Sequence, residues 1–410
     1  MNRLIVAASA IVLASCAGAG PTPTPGPTQS PSTTPAATST TAPTERPIPS
    51  ARPSPPPFPI EAFSLINEEP VSEELAAKLQ AGLASHDITG GGGMSATVMA
   101  PDGTWSGTTG YADGVRELQV DDQFAIASIT KSVVAAQIML MVEAGELALD
   151  DLASAYLPED LNFDTNGATI RQLLGHRSGL PDYYESGPLA DIQSEPQRVW
   201  TDTELLELVP PERIAPGTAF AYSETNYLLL KMLTEHQRGR PLAEVLRDGV
   251  LAVDGLERLV LQPDERPTEP MALPAGESPA DGGGYLPSLA NASAYTASGG
   301  IASDSPTLAR WWRAFCAGEV VSQQSLTEMA VFRPADYLRA YGLGLHNPGS
   351  WFNRPSFGNT GQLPGFMSWA GCLPEEGAVI VVLTNHEVAD GHLAWSNGLA
   401  RPLANALHSE

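Results

Sequence analysis

Ser128 and Lys131 are the residues of this 410-residue chain whose types and spacing most directly indicate chemistry. They form the tetrad Ser-Ile-Thr-Lys at the start of a predicted helix. Residues three apart lie on one face of a helix, so the lysine ammonium can reach the serine hydroxyl. A serine at a helix start also lies beside free backbone N–H groups, which suits a nucleophile whose attack creates an oxyanion. The spacing alone leaves a second interpretation open, in which Ser128 caps the helix and Lys131 is an exposed first-turn lysine.

Five short segments of the chain match, in order, the motifs of one enzyme family. These segments are 124–131 (FAIASITK), 173–182 (LLGHRSGLPD), 220–227 (FAYSETNY), 298–303 (SGGIAS) and 358–362 (GNTGQ). They resemble the serine β-lactamases and penicillin-recognising enzymes, specifically the branch of class C β-lactamases, D-alanyl-D-alanine carboxypeptidases and related esterases. The resemblance extends from about residue 94 to residue 385.

The resemblance implies a role for each matching residue. Ser128 attacks the substrate carbonyl and forms an acyl-enzyme, while Lys131 and Tyr222 take the serine proton and pass it to the leaving group. The backbone N–H groups of Ser128 and Gln362 form the oxyanion hole. A free lysine and a free tyrosine are both protonated near neutral pH, so one of them must be perturbed to act as the base. The sequence leaves open which of the two it is.

Two positions depart from the family pattern. The tyrosine motif has Glu224 where the family has Asn, and a carboxylate there favours the charged form of Lys131 and donates no amide hydrogen bonds. The strand motif of Asn359, Thr360 and Gly361, assigned by the resemblance to substrate binding, begins with Asn where the family has Lys or His. It therefore lacks the cation that meets a substrate carboxylate. Both changes argue against an efficient β-lactamase or carboxypeptidase and favour either an esterase or amidase with a neutral substrate or a loss of activity.

Other catalytic patterns do not occur in the sequence. There is no Gly-x-Ser-x-Gly elbow and no Ser-Asp-Asn motif, and the seven histidines show no metal-ligand spacing. We therefore expect neither a metal nor an organic cofactor. We interpret His176, within the second matching segment, as a structural hydrogen-bonding residue rather than a catalytic base.

The periodicity of apolar residues indicates how these residues are positioned. It predicts helices at 73–85, 129–147, 202–209, 226–237, 308–315 and 399–407. Strands are predicted at 94–100, 104–109, 341–346, 365–370 and 378–384. Strands at both ends with helices between them predict an α/β fold of the α+β type. We expect an antiparallel sheet flanked by helices, an inserted mainly helical subdomain and the site between them, as in β-lactamases and transpeptidases.

The first 59 residues are expected to lie outside the folded domain. Residues 1–15 combine one arginine with an apolar run too short to span a membrane, which indicates a signal peptide. The segment 13–16 (LASC) resembles a bacterial lipobox, which implies a lipidated Cys16. Residues 16–59 are rich in Pro, Thr and Ser and should form a disordered linker. The domain at 60–410 would then be held by its lipid anchor at the extracytoplasmic face of the cell membrane.

Charge and cysteine content restrict the remaining possibilities. A net charge of −25, from 22 basic and 47 acidic residues, excludes a nucleic-acid-binding protein. Cys316 and Cys372 are either a disulfide or two buried thiols, and the sequence leaves this open. We expect a monomer with a small-molecule or peptide substrate. The alternatives are a non-catalytic surface lipoprotein that binds peptidoglycan fragments or a partner, and a solute-binding lipoprotein.

Overall fold

The computed structural model describes residues 55–408, except for residues 87, 89–90, 187, 276–282, 337, 348–353 and 387–398. The predicted signal peptide, the predicted lipidation site Cys16 and the predicted linker up to residue 54 lie outside the described residues. Phe58 is already buried in the core, so packing begins slightly before the predicted domain boundary at residue 60.

An antiparallel sheet joins the two ends of the domain. The strands in chain order are β1 (Gly93–Ala100), β2 (Gly103–Gly110), β3 (Phe124–Ala125), β4 (Val260–Leu261), β5 (Ile301–Ser303), β6 (Arg333–Ala335), β7 (Arg339–Tyr341), β8 (Phe357–Leu363), β9 (Phe366–Leu373) and β10 (Ala378–Thr384). Among the described residues, five strands form the main sheet in the order β2-β1-β10-β9-β8. The pairing of β1 with β10 places Met94 opposite Thr384. The predicted sheet of strands from both ends is confirmed.

Helices cover both faces of this sheet. They are α1 (Glu73–Ala84), α2 (Thr130–Glu143), α3 (Ile170–Leu174), α4 (Pro188–Ser194), α5 (Asp202–Glu207), α6 (Glu224–Arg238), α7 (Leu242–Asp248), α8 (Leu289–Ala294), α9 (Thr296–Gly299), α10 (Ser305–Cys316), α11 (Gln323–Met329) and α12 (Arg401–Ala406). Apolar residues of β10 alternate between the two faces: Ile380 packs with α1 and α12, and Val381 with the core that contains α10. Helices in the described part of the chain are all too short or too polar to cross a membrane.

The segment between β2 and β8 is mainly helical, as predicted. In its centre, α2 contacts α6 and α9, and almost all of its residues are buried. Strand β3, which comes immediately before α2 in the chain, belongs to a small sheet in the order β3-β5-β4. Later in the segment, Cys316 of α10 forms a disulfide with Cys372 of β9, so this helix is covalently joined to the main sheet.

The predicted strand at 341–346 is wrong. Strand β7 ends at Tyr341, and the following residues turn towards α2. Gly344 has a φ of +70°, and a Cβ atom at this position would lie 2.3 Å from the Cβ of Ala135. The alternating apolar residues resemble a strand, but the close approach to α2 and the left-handed glycine interrupt it. The predicted helix at 129–147 is shorter than expected and follows a 3-10 turn at Ala127–Ile129.

Candidate active site

Ser128 lies in the 3-10 turn before α2, and its hydroxyl oxygen accepts two hydrogen bonds. Lys131 Nζ donates one at 3.0 Å, and the Tyr222 hydroxyl donates the other at 2.9 Å. The backbone before Ser128 is strained, because Ala127 has a φ of +50°. The structure thus brings the three side chains with predicted catalytic roles into direct contact.

Lys131 is fully buried, and three oxygen atoms surround its ammonium. Besides the Ser128 hydroxyl, these are the Ser298 carbonyl at 2.7 Å and the Glu224 carboxylate at 2.6 Å. Burial lowers the pKa of Lys131 below the usual value for lysine, and Glu224 opposes this effect without cancelling it. Lys131 therefore loses its proton at a lower pH than a free lysine does.

Tyr222 is held in place by hydrogen bonds between two loops. The backbone N–H of Ala221 donates to the His176 carbonyl at 2.9 Å, and that of Ser223 donates to His176 Nδ1 at 3.2 Å. The imidazole ring of His176 stacks on the ring of Tyr222, with the centroids 4.2 Å apart. Helix α6 begins directly after this segment, at Glu224. The two loops thus hold the Tyr222 hydroxyl within hydrogen-bond distance of Ser128 Oγ.

His176 has the environment of a structural residue. Burial, together with the charge of Lys131, holds the pKa of His176 well below its usual value, so the ring is neutral near pH 7. Its Nδ1 atom is also within 3.2 Å of the Asn226 side-chain amide. The contacts of His176 thus agree with the structural role predicted from the sequence.

Two carboxyl groups lie near Lys131, those of Glu224 and Asp182. The Glu224 carboxylate is only 12% exposed and pairs directly with the ammonium. The Asp182 carboxylate accepts hydrogen bonds from the backbone N–H of Tyr184, at 3.0 Å, and from that of Glu224. Burial and the negative charge of Glu224 raise the pKa of Asp182 to about 7. The site therefore holds two acidic groups for one ammonium.

The edge strand β8 passes close to the turn that carries Ser128. A Cβ atom at Gly361 would lie 2.1 Å from the Ile126 carbonyl oxygen, so only glycine fits at this contact. On the side away from β9, Gly358 exchanges two backbone hydrogen bonds with His346. Because the direction of N–H groups alternates along an antiparallel strand, the N–H of Gln362 also points to this outer edge. Its position is compatible with the predicted oxyanion hole.

Asn359 is buried, and its side chain is hydrogen-bonded within the protein. Its side-chain amide donates to the Ser132 hydroxyl at 3.2 Å and to the Gly344 carbonyl at 3.1 Å. Its Oδ1 atom accepts the backbone N–H of Thr360 at 2.9 Å. Thr360 is buried as well, opposite Trp369 of β9. Asn359 therefore connects β8 to α2, a position that its sequence motif did not indicate.

A cavity of about 390 Å³ opens beside Glu224. Its lining comprises Tyr184, Gln193, Glu224, Tyr295, Gln362, Leu363 and Pro364. Glu224 is the charged residue among these described lining residues. The cavity thus presents aromatic, amide and carboxylate groups to a substrate.

Sequence reasoning missed two contributors to the site. The Ser298 carbonyl holds Lys131, but a carbonyl is common to every residue and leaves no side-chain signal. Asp182 lies at the end of the second matching segment, and only the fold shows that it lies beside Glu224.

The fold and the site are those of a serine hydrolase. Comparison with known protein families gives a match to the family described as Beta-lactamase over residues 75–400. The chain belongs to this family, as its motifs predicted.

Individual relatives are similar to parts or all of the domain. The chain is 29% identical to a penicillin-binding protein of Bacillus subtilis strain 168 over 172 residues, which are 40% of the chain and 37% of that protein. It is 25% identical to a D-aminopeptidase of Cereibacter sphaeroides over 77% of the chain and 60% of the relative. The chain thus spans about one third to three fifths of the length of these relatives. The solved D-amino acid amidase from Ochrobactrum anthropi SV3 is 27% identical, with a TM-score of 0.67 over 82% of this chain and 99% of that one.

Proposed function

We propose that the protein hydrolyses an amide or an ester through an acyl-enzyme on Ser128. The supporting observation is the pair of hydrogen bonds that Lys131 and Tyr222 direct to Ser128 Oγ. A nucleophilic serine needs an adjacent group that removes its proton, and both neighbours are within hydrogen-bond reach. Burial of Lys131 also favours the neutral amine that such a base requires.

The reaction proceeds in two halves. Ser128 Oγ forms a bond to the substrate carbonyl carbon, while its proton passes to Lys131 or Tyr222. The N–H groups of Ser128 and Gln362 stabilise the resulting oxyanion. The leaving nitrogen or oxygen then takes up the transferred proton as its bond to the carbonyl carbon breaks, which leaves the acyl-enzyme. Water repeats the sequence and releases a carboxylic acid and free Ser128.

The charges around the cavity favour a substrate that is neutral or positively charged near the scissile bond. Glu224 contributes a carboxylate to the cavity, and Asp182, outside its lining, is a second acidic group that interacts with Glu224. Lys131 is fully buried and paired with Glu224, so its charge is not available to a substrate carboxylate. Asn359, at the family's cation position, is neutral and bonded to Ser132 and Gly344.

Amides of D-amino acids are the substrate class that best fits this cavity. They carry no carboxylate, and their ammonium is compatible with a cavity whose charged lining residue is Glu224. The names of the similar D-aminopeptidase and D-amino acid amidase support the same class.

The first experiment compares the wild-type protein with Ser128→Ala on D-phenylalanine amide and on a short-chain nitrophenyl ester. We expect turnover of both substrates by the wild type and a loss of at least about 1,000-fold in kcat/KM in the variant. The control is Ser85→Ala, an exposed serine at the end of α1, which should retain full activity. A folded wild type without activity on either substrate would contradict the proposal and favour a non-catalytic binding lipoprotein.

The second experiment tests the charge preference with penicillin G. Mass spectrometry would follow acylation of Ser128 by penicillin G and by the neutral ester at equal concentrations. We expect slower acylation by penicillin, because no described cation is placed to receive its carboxylate. Equal rates would refute the proposed preference and leave the role of Ser128 intact.

We also propose that the protein is anchored to the membrane through a lipid on Cys16. This proposal rests on the sequence of residues 1–16 and on the linker that follows. In cell fractionation, the wild type should appear with the membranes, and Cys16→Ser should not carry the acyl mass. A wild-type protein with an unmodified Cys16 would disprove the anchor.

A further inference from the structure

A second cavity, of about 150 Å³, lies beside the aromatic residues that pack around Tyr222. Its lining includes three arginines, Arg171, Arg177 and Arg333, and two acidic residues, Asp150 and Glu328, together with Tyr341 and Leu343. Three arginines around one small cavity are notable in a chain with 47 acidic and only 22 basic residues.

Arg171 is fully occupied by ion pairs within the protein. Its guanidinium pairs with Asp150, at 2.7 Å, and with Glu328. Two carboxylates therefore balance this arginine, and it serves as a structural part of the cavity wall.

Arg177 and Arg333 have no such partners. Within the described residues, no carboxylate oxygen lies within 4 Å of either guanidinium. Arg177 donates to the Pro334 carbonyl at 2.7 Å, and its guanidinium lies 5.8 Å from the centroid of the Phe220 ring. Burial and the charge of Arg333 lower the pKa of Arg177, and the weaker effect of the Asp336 charge opposes them without cancelling them. The two guanidiniums are thus close enough to repel each other, while the charge of Arg333 also acts on Asp150. An anion between them would relieve this repulsion and accept hydrogen bonds from both.

The other lining residues indicate that the anion has an apolar part. Tyr341, Leu343 and Val331 contribute apolar surface to the wall. The volume is well below the roughly 300–1,000 Å³ of pockets for drug-sized ligands. We propose that this cavity binds a small organic carboxylate, with its oxygens on Arg177 and Arg333 and its apolar part against Leu343 and Val331.

The ligand would lie close to the elements that hold Tyr222. Arg333 is paired with Tyr341 across the hairpin of β6 and β7. The ring of Tyr341 contacts the rings of His176 and Tyr222, with centroids 5.0 Å and 6.4 Å away. A carboxylate on Arg333 and Arg177 would thus tie the hairpin to the loop of His176. The site is separate from the cavity beside Glu224, and its existence does not depend on the proposed hydrolysis.

Calorimetric titration of the full chain with isobutyrate tests this site. The matched probe is isobutyramide, which has nearly the same shape and no charge. We expect isobutyrate to bind at least about 10-fold more tightly than isobutyramide. Arg177→Gln and Arg333→Gln should each weaken isobutyrate binding by about 10-fold or more. Arg339→Gln, on the same hairpin and outside the cavity lining, controls for the change in net charge and should bind as the wild type does.

Several outcomes would overturn the proposal. Equal binding of the two probes, or binding unchanged in Arg177→Gln and Arg333→Gln, would show that the arginines hold no carboxylate. Tighter binding of inorganic phosphate with the same arginine dependence would replace the organic carboxylate with a phosphate. If Arg177→Gln does not fold, the exposed Arg333→Gln decides the result alone. Isobutyrate binding that depends on Glu224 instead would assign the anion to the active-site cavity.

Discussion

Lys131 and Lys231 are both largely buried and both paired with acidic groups, yet their pKa values shift in opposite directions. Lys131 pairs with one carboxylate, that of Glu224 at 2.6 Å. Lys231 pairs with two, those of Asp202 at 2.6 Å and Glu235 at 3.0 Å. Burial is the largest influence on each and lowers both pKa values. For Lys131 it prevails, whereas for Lys231 the two carboxylates outweigh it and raise the pKa.

The difference shows how one residue type serves two purposes. At Lys131 the remaining partners are neutral, namely the Ser298 carbonyl and the Ser128 hydroxyl. Neutral oxygens fix the position of the nitrogen and stabilise its charge less than a second carboxylate would. Lys131 is therefore positioned and can also lose its proton, whereas Lys231 keeps its charge to a higher pH than a free lysine does and links α5 to α6.

Replacing each lysine with methionine should separate these purposes most clearly. Lys131→Met removes a group that contacts the nucleophile, and we expect kcat/KM on D-phenylalanine amide to fall by at least about 1,000-fold. Lys231→Met should leave kcat/KM within about 3-fold of the wild type. It should instead lower the free energy of unfolding by about 2–3 kcal/mol, because Asp202 and Glu235 lose their counter-ion.

Steady-state kinetics and urea denaturation of the two variants provide the measurements. Full activity in a folded Lys131→Met protein would eliminate the lysine as a base and leave Tyr222 in that role. A loss of activity in Lys231→Met without a loss of stability would contradict the structural role of Lys231.

Glu224→Gln tests whether the carboxylate that pairs with Lys131 controls the pKa of this lysine. Lys131 must be neutral to accept the serine proton, so kcat/KM should rise with pH through the pKa of this lysine. Glu224 raises that pKa, and its replacement should move the acidic limb of the profile to lower pH by about 1–2 units. Glu235→Gln, which changes one partner of Lys231, should leave the limb in place. A shift to higher pH, or no shift, would show that the limb does not report Lys131.

The sequence predicted the parts of this molecule that depend on side-chain type and spacing. The Ser-x-x-Lys spacing placed Ser128 and Lys131 together because one helical turn fixes their distance. The apolar run of β10 predicted a strand with its observed bounds, because both faces of that strand are buried. The position of Tyr222 followed from its motif.

The contacts that the sequence did not predict depend on backbone groups or on distant segments. The Ser298 carbonyl has no side-chain signature, although it holds Lys131. Asn359 was predicted to bind the substrate, and the sequence did not indicate that its buried amide also donates to the Gly344 carbonyl. Apolar alternation at 341–346 did not show that this segment packs against α2.

Asp182→Asn should give the smallest effect, and it tests whether a second carboxyl near Lys131 matters. The charge of Asp182 raises the pKa of Lys131 less than Glu224 does, so the acidic limb should move in the same direction by a smaller amount. A clearer readout is stability. The pKa of Asp182 is raised to about 7 in the folded protein, so the folded state binds more protons than the unfolded state between about pH 4 and pH 7.

Stability from Asp182 is therefore present at low pH and is lost as the pH rises through about 7. Asp182→Asn removes this loss, because the amide does not ionise and its oxygen still accepts the N–H of Tyr184. Relative to the wild type, the variant should gain about 1–2 °C in Tm between pH 5 and pH 8 for each kcal/mol of stability that ionised Asp182 removes, as expected for a domain of this size. Asp254→Asn, an exposed change outside the site, provides the control for the lost charge. Parallel Tm profiles for the wild type and Asp182→Asn would mean that Asp182 is ionised throughout, and that Lys131 is held by two full negative charges, as Lys231 is.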